Sequence, residues 1–120
     1  MKPIIGITAD IDEAVYKLKL DYVSAVVNAG GVPVVIPPLE KGGRGDFPMN
    51  DIARIADLIN GLLVSGGDDL YPEYYNEDIS APLESLRFVR RERSDFETSL
   101  LREVIRKQKP VLGICYGMQL

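Results

Sequence analysis

The chain has 120 residues, 46% of them hydrophobic and 27% charged, with a formal net charge of −4, one cysteine and no histidine. This composition is typical of one globular domain, and a single cysteine excludes the internal disulfides of small secreted scaffolds. Every apolar run is shorter than the roughly 18 residues of a membrane span, and the acidic balance does not favour nucleic-acid binding. These features predict a cytoplasmic protein with neither a membrane nor a nucleic acid as its partner.

The first third of the chain alternates β-branched runs with an amphipathic stretch. Residues 3–8 (PIIGIT) predict a buried strand, and Val32–Ile36 predicts a second one that Pro37 and Pro38 end. Between them, apolar residues recur every three or four positions and predict a helix that Gly30-Gly31 stops. The predicted buried face of that helix consists of Val15, Leu18, Tyr22, Val26 and Ala29.

The middle of the chain predicts a short helix and a third strand. Residues 40–48 are rich in glycine and predict a loop, after which Asn50 is a candidate N-cap. Residues 62–65 predict a strand that leads into Gly66-Gly67, and residues 71–82 predict a long ordered loop. The apolar positions of the short helix are Ile52, Ile55, Ala56 and Ile59.

A long helix and a fourth strand complete the pattern. Ser94-Asp95-Phe96-Glu97 fits a capping box, in which serine and glutamate satisfy each other's free backbone donors. Residues 110–114 (PVLGI) predict the strand. The predicted buried face of the helix consists of Phe96, Leu100, Leu101, Val104 and Ile105.

The order β-α-β-α-β-α-β, with strands that are apolar almost throughout, predicts a doubly wound α/β fold. Its parallel sheet would carry helices on both faces, as in flavodoxin-like proteins. Residues 1–120 would form the N-terminal part of one such domain.

The segment Gly113-Ile114-Cys115-Tyr116-Gly117 has the form of a nucleophile elbow, with cysteine in the place of serine. The glycines two positions either side make room for the sharp strand-to-helix turn. The turn would present the Cys115 sulfur beyond the strand ends, where open α/β sheets bind ligands. The N-terminus of the following helix would favour the reactive thiolate.

Gly66-Gly67 directly follows a predicted buried strand, at the same edge of the sheet. A backbone amide there and the amide of Tyr116 could together hold the oxyanion that forms when a thiolate attacks an amide carbonyl. An ordinary tight turn is the alternative interpretation of the two glycines.

The motif GICYGMQ, preceded by KPVL, resembles the nucleophile motif of class I glutamine amidotransferase-like proteins. Four further segments resemble the gamma-glutamyl-gamma-aminobutyrate hydrolase branch of that superfamily, and the resemblance covers essentially the whole chain. They are KPIIGIT, YVSAVVNAGGVPVVIPP, GLLVSGGDDLYPEYY and RSDFETSLLREVI.

The resemblance implies roles for four residues. Cys115 matches the nucleophile that forms a gamma-glutamyl thioester, and the amides of Gly67 and Tyr116 match the oxyanion donors. Gln119 matches a residue that holds the alpha-amino and carboxylate end of the substrate. Gly66, next to Gly67, is a further candidate substrate-binding residue.

Two positions depart from the branch. Tyr116 stands where arginine is usual, and Ser94 separates Arg93 from Asp95, which are usually an adjacent Arg-Asp pair. Both departures bear on the substrate more than on the fold.

The family's cysteine also needs a histidine oriented by a carboxylate, and this chain has no histidine. We therefore expect the chain to be the N-terminal part of a cysteine-dependent gamma-glutamyl hydrolase or transferase, inactive alone. Its partners would be a small-molecule gamma-glutamyl substrate and either a second copy or a complementary C-terminal half.

Two other functions stay open, and we expect the chain to use no metal and no cofactor. One is a non-catalytic module that binds or self-associates, and the other is a glutaminase subunit that delivers ammonia to a synthetase. The acidic run between Asp68 and Asp78 fits no calcium loop, and a second cysteine or a histidine to complete another metal site is absent from the sequence.

Overall fold

The computed structural model describes residues 1–39, 48–66 and 91–114. The predicted loop at 71–82, and all but the last residue of the one at 40–48, lie outside these residues. The elements are β1 (Ile4–Thr8), β2 (Asp10–Asp12), β3 (Val15–Lys17), α1 (Leu20–Asn28), β4 (Val32–Ile36), α2 (Met49–Leu58), β5 (Gly61–Val64), α3 (Arg91–Arg106) and β6 (Val111–Gly113).

A parallel sheet forms the centre of the described structure, with the strand order β4-β1-β5-β6. The first strand of the chain is therefore internal, pairing with β4 on one side and β5 on the other. Gly6 of β1, for example, lies opposite Val34 of β4 and Leu62 of β5. This arrangement confirms the predicted parallel, flavodoxin-like α/β fold, and the four predicted strands match within two residues.

Apolar side chains are buried on both faces of this sheet. Helices α2 and α3 pack together on one face, and α1 packs on the other. The core on the α2–α3 side consists of Ile36, Ile52, Ala56, Ile59, Leu62, Val64, Phe96, Leu100 and Val104. The core on the α1 side consists of Ile7, Val26 and Leu63. The prediction that helices cover both faces is thus confirmed.

The start of the first helix differs from the prediction. Val15 belongs to β3, which forms an antiparallel hairpin with β2, and α1 begins only at Leu20. Glu13 has a φ of 53° in the hairpin turn, a conformation that the sequence does not signal with a glycine. The hairpin displaces Val15 and Leu18 from the predicted helical face.

The end of α1 follows the predicted glycine stop. Gly30 has a φ of 93° and donates its N–H to the Val27 carbonyl, while Gly31 donates to the Val26 carbonyl. These two bonds form a Schellman motif, which satisfies carbonyls at the end of a helix.

Three details of the other helices were predicted wrongly. Asn50 lies inside α2, whose N-cap position is Pro48. Ser94 lies inside α3, which already includes Arg91, and Glu97 pairs with Arg93, one turn earlier, instead of closing a capping box. Ile105 is 58% exposed, whereas Phe96, Leu100 and Val104 are fully buried as expected.

Charged groups join α2 to α3 at the surface. Lys107 donates to the Asp57 carboxylate, and Lys109 donates to the carbonyls of Ala56 and Asp57. The hydrogen bond from Lys107 lowers the pKa of Asp57 below its ordinary value, so this carboxylate stays ionised to a lower pH than a free one. The contact fixes the C-terminal end of α3, from which the chain enters β6.

Gly6 occupies a position in β1 that has no room for a side chain. A Cβ atom there would lie 2.5 Å from Ile36 Cδ1 and 3.1 Å from Ile59 Cγ2. We expect Gly6→Ala to lower the free energy of unfolding by about 1–3 kcal/mol through overpacking. Because Ile36→Val removes the nearest methyl group, the double variant should lose less than the sum of the single variants in urea denaturation. If the two losses of unfolding free energy simply added, the close approach of Gly6 to Ile36 would be contradicted.

Within the three described ranges, no helix is both long enough and apolar enough to cross a membrane.

Candidate active site

The carboxyl ends of β1 and β5 lie side by side, and the helices that come next after them among the described residues, α1 and α3, pack on opposite faces of the sheet. Open α/β sheets bind ligands at such a switch point. Thr8 ends β1 and Ser65 follows β5, and both are buried. Ser65 N–H donates to Thr8 Oγ1 at 3.0 Å, and Ser65 Oγ donates to the Thr8 carbonyl at 2.6 Å. These two bonds extend the contact between β1 and β5 beyond the last pair of their parallel register, Ile7 and Leu63.

The guanidinium of Arg93 lies directly over this strand junction and is fully buried. Its Nη2 donates to the Ser65 carbonyl at 2.9 Å and to Ser65 Oγ at 3.0 Å. Its Nη1 contacts the Gly66 carbonyl at a longer distance of 3.5 Å. A side chain of α3 therefore holds the backbone at the end of β5.

Two carboxylates pair with the buried guanidinium. Arg93 Nε lies 2.8 Å from Glu97 Oε1, one turn later on α3, and Nη1 lies 3.3 Å from Asp10 Oδ1. The Asp10 side chain is 10% exposed and that of Glu97 is 1% exposed. Asp10 is the first residue of the unpredicted hairpin, so the hairpin brings one carboxylate to this edge. A charge buried this deeply requires such partners.

Tyr22 of α1 completes the contacts around the end of β5. Its hydroxyl oxygen accepts the N–H of Gly66 at 2.9 Å. Gly66 was predicted from the sequence as a substrate-binding residue, and the structure places it at the switch point. Its contact with substrate stays a prediction.

The strand that leads to the predicted nucleophile ends next to this network. Ile114, the residue before Cys115, donates its N–H to the Val64 carbonyl at 3.0 Å. Ile114, the last described residue of this segment, thus lies alongside the end of β5. Cys115, Tyr116, Gln119 and Gly67 lie outside the described residues, and their roles stay predictions.

Sequence reasoning missed the residues that build this edge. Arg93 was noted only as a departure from a family pattern, and Glu97 was assigned to a helix cap. The spacing of four residues between Arg93 and Glu97 was the available signal, because such residues are neighbours on a helix surface. Thr8 and Tyr22 carried no comparable signal, since their partners are distant in the sequence.

An apolar cleft of about 600 Å³ lies between α1 and the β5–β6 part of the sheet. Ile5, Val26 and Leu63 line it together with Leu112 of β6, which is 60% exposed. Tyr22, whose hydroxyl contacts Gly66, also lines it, so the cleft reaches the edge that carries the network.

The chain is similar in sequence to a known family and to several known proteins. The Peptidase C26 family model matches residues 3–120. A Rickettsia prowazekii protein described as a putative glutamine amidotransferase-like protein is 34% identical, over 99% of this chain and 42% of the relative. A putative glutamine amidotransferase of Mycobacterium tuberculosis is 31% identical, over 98% and 38%. One of Schizosaccharomyces pombe is 34% identical, over 82% and 34%.

The chain spans less than half the length of each of these relatives. The family model nevertheless covers almost all of the chain, and the similarity to the Rickettsia protein extends over 99% of this chain. These matches confirm the resemblance that the elbow motif indicated. The chain belongs to the Peptidase C26 family of class I glutamine amidotransferase-like proteins.

Proposed function

We propose that the protein in its full natural length uses Cys115 to hydrolyse or transfer the gamma-glutamyl group of glutamine or of a gamma-glutamyl amide. The observation that carries the proposal is the position of Ile114. Its hydrogen bond to Val64 brings the end of β6, and with it the residue before the cysteine, beside the buried network at the end of β5. Family membership supports the amidotransferase or peptidase chemistry.

The proposed reaction has two steps. The Cys115 thiolate attacks the delta-carbonyl carbon, and the C–N bond of the tetrahedral species breaks, which gives a gamma-glutamyl thioester and an amine that leaves with a proton. Water then attacks the thioester, so that glutamate and the free thiol are released. In each step the carbonyl oxygen becomes an oxyanion, which the amides of Gly67 and Tyr116 would stabilise.

The proton transfers need a base, and these 120 residues contain no histidine that could serve as one. We expect the base and its carboxylate partner to come from another part of the full-length protein, and the 120-residue chain alone to be inactive. Transfer of the released ammonia to a synthetase partner is a further outcome of the same chemistry.

A second candidate function is a binding module that does no chemistry. The apolar cleft favours it, since exposed residues such as Leu112 gain from being covered. In this case the chain would associate with a second copy, and Cys115 would be an ordinary apolar residue.

Covalent labelling tests the proposal. The full-length protein is treated with an electrophilic glutamine analogue, and the modified residue is located by peptide mass spectrometry. We expect modification at Cys115, protection by glutamine, and release of glutamate from glutamine by the untreated protein. Cys115→Ser should lose both labelling and hydrolysis, because a serine hydroxyl is a much weaker nucleophile in a site built for a thiolate.

A matched control uses Ser65→Ala, which keeps the thiol but alters the neighbouring strand end, and which should still be labelled. Amide hydrolysis by Cys115→Ser at the rate of the wild type would overturn the proposal. So would a wild-type protein whose thiol stays unlabelled at saturating analogue, a result that would favour the binding module.

A further inference from the structure

The dipeptide Ser65–Gly66 is held by side chains at every one of its backbone polar groups. Thr8 Oγ1 accepts the Ser65 N–H, and the Tyr22 hydroxyl accepts the Gly66 N–H. Arg93 contacts both carbonyls, that of Ser65 at 2.9 Å and that of Gly66 at 3.5 Å. We call Thr8, Tyr22 and Arg93 the strand-end clamp.

The clamp is unusual for a segment that has just left a strand. Backbone groups in such a segment commonly bind water, because the segment runs over the surface. Here β1, α1 and α3 each contribute one side chain, from positions 57, 44 and 28 residues away in the sequence. Contacts from three separate elements restrict the dipeptide far more than contacts from one element would.

Arg93 is itself rigidly placed. It is fully buried, and Glu97 and Asp10 hold its Nε and Nη1 groups. A guanidinium is planar, so fixing two of its nitrogens also fixes the direction of the third, Nη2, toward Ser65. The position of the Ser65 carbonyl is thereby tied to the packing of α3.

We propose that the clamp is a positioning device for the oxyanion donor, with Tyr22 and Arg93 as its positioning residues. This inference rests on the function proposed above. A peptide group is planar, so a restraint on the Gly66 carbonyl also restrains the N–H of the next residue, the predicted donor. A donor held in place beforehand stabilises an oxyanion without reorganising during the reaction.

Two reactions of the same thiol separate positioning from a purely structural role. Hydrolysis of glutamine passes through an oxyanion, whereas alkylation by iodoacetamide does not, because the thiolate displaces iodide from a CH₂ carbon. We expect Tyr22→Phe in the full-length protein to lower kcat for glutamine about fivefold, the effect of one hydrogen bond, with KM nearly unchanged. The rate of Cys115 alkylation should stay at the wild-type value.

Arg93→Lys keeps the charge but loses the planar fork, and should lower kcat on the order of 30-fold. Tyr16→Phe is the matched control for Tyr22, because Tyr16 lies exposed on the hairpin. Arg106→Lys is the control for Arg93, since its pair with Glu103 is exposed on the same helix. Both controls should keep the wild-type kcat, and circular dichroism would verify that each variant is folded.

The proposal is overturned if Tyr22→Phe leaves kcat unchanged, or if hydrolysis and alkylation fall by the same factor. Because Tyr22→Phe removes only a half-buried hydroxyl, this result does not depend on whether Arg93→Lys folds. Failure of the proposed function would look different, since wild-type protein would then release glutamate from neither glutamine nor a gamma-glutamyl amide, or Cys115→Ser would remain active.

Discussion

Replacing Arg93 by methionine is expected to lower the free energy of unfolding by about 3–5 kcal/mol, as measured by urea denaturation. The substitution keeps a long side chain but removes the cation that faces Glu97 and Asp10, whose side chains are 1% and 10% exposed. It also removes the donor for the Ser65 carbonyl. A buried carboxylate that loses its cation is costly, because water cannot replace the lost partner.

The matched control is Arg106→Met, on the same helix. The Arg106 side chain is 67% exposed, and its pair with Glu103 is open to solvent, so the unfolding midpoint should hardly change. The double variant Arg93→Met/Glu97→Met should recover part of the loss, because it removes one of the stranded charges. Equal effects of Arg93→Met and Arg106→Met would show that the guanidinium is not structurally important.

Truncating Phe96 to alanine is expected to lower the free energy of unfolding by about 3–5 kcal/mol through loss of apolar contact and formation of a cavity. Phe96 is fully buried and joins the core between α2, α3 and the sheet. Ile105 lies on the same helix but is 58% exposed. Ile105→Ala should therefore change stability by no more than about 0.5 kcal/mol.

Thermal or urea unfolding of the two variants separates burial from helix propensity. Both substitutions introduce alanine into α3, so a general effect on helix formation would act on both. If Ile105→Ala were as destabilising as Phe96→Ala, α3 would not pack on the sheet as described.

The strands were predictable because each is a short apolar run between clear breakers. Val32–Ile36, for example, lies between a glycine pair and a proline pair, and the structure reproduces its bounds. The end of α1 was predictable for a similar reason, since only a residue such as Gly30 adopts a φ of 93° without strain. Local chemistry decides such features.

The hairpin and the clamp were not predictable, because contacts between distant segments decide them. Val15 and Leu18 have helical spacing relative to Tyr22, and only the pairing of β2 with β3 shows that the helix starts later. Arg93 resembles any charged residue of a solvated helix until the fold brings Asp10 beside it. The sequence predicted that the ends of β5 and β6 lie at the same edge of the sheet, but not which side chains hold the end of β5.

The central place of β1 in the sheet has a consequence for how the protein is made. This strand is synthesised before both of its neighbours, and its edge toward β5 stays unpaired until Ser65 has followed Thr8 by 57 positions. At bacterial and eukaryotic elongation rates the ribosome needs about 3–11 s for that distance. During those seconds the nascent chain presents an apolar strand edge of the kind that binds chaperones or aggregates. One edge of the strand at the centre of the sheet therefore stays unprotected for the whole time in which the chain from β1 to β5 is made.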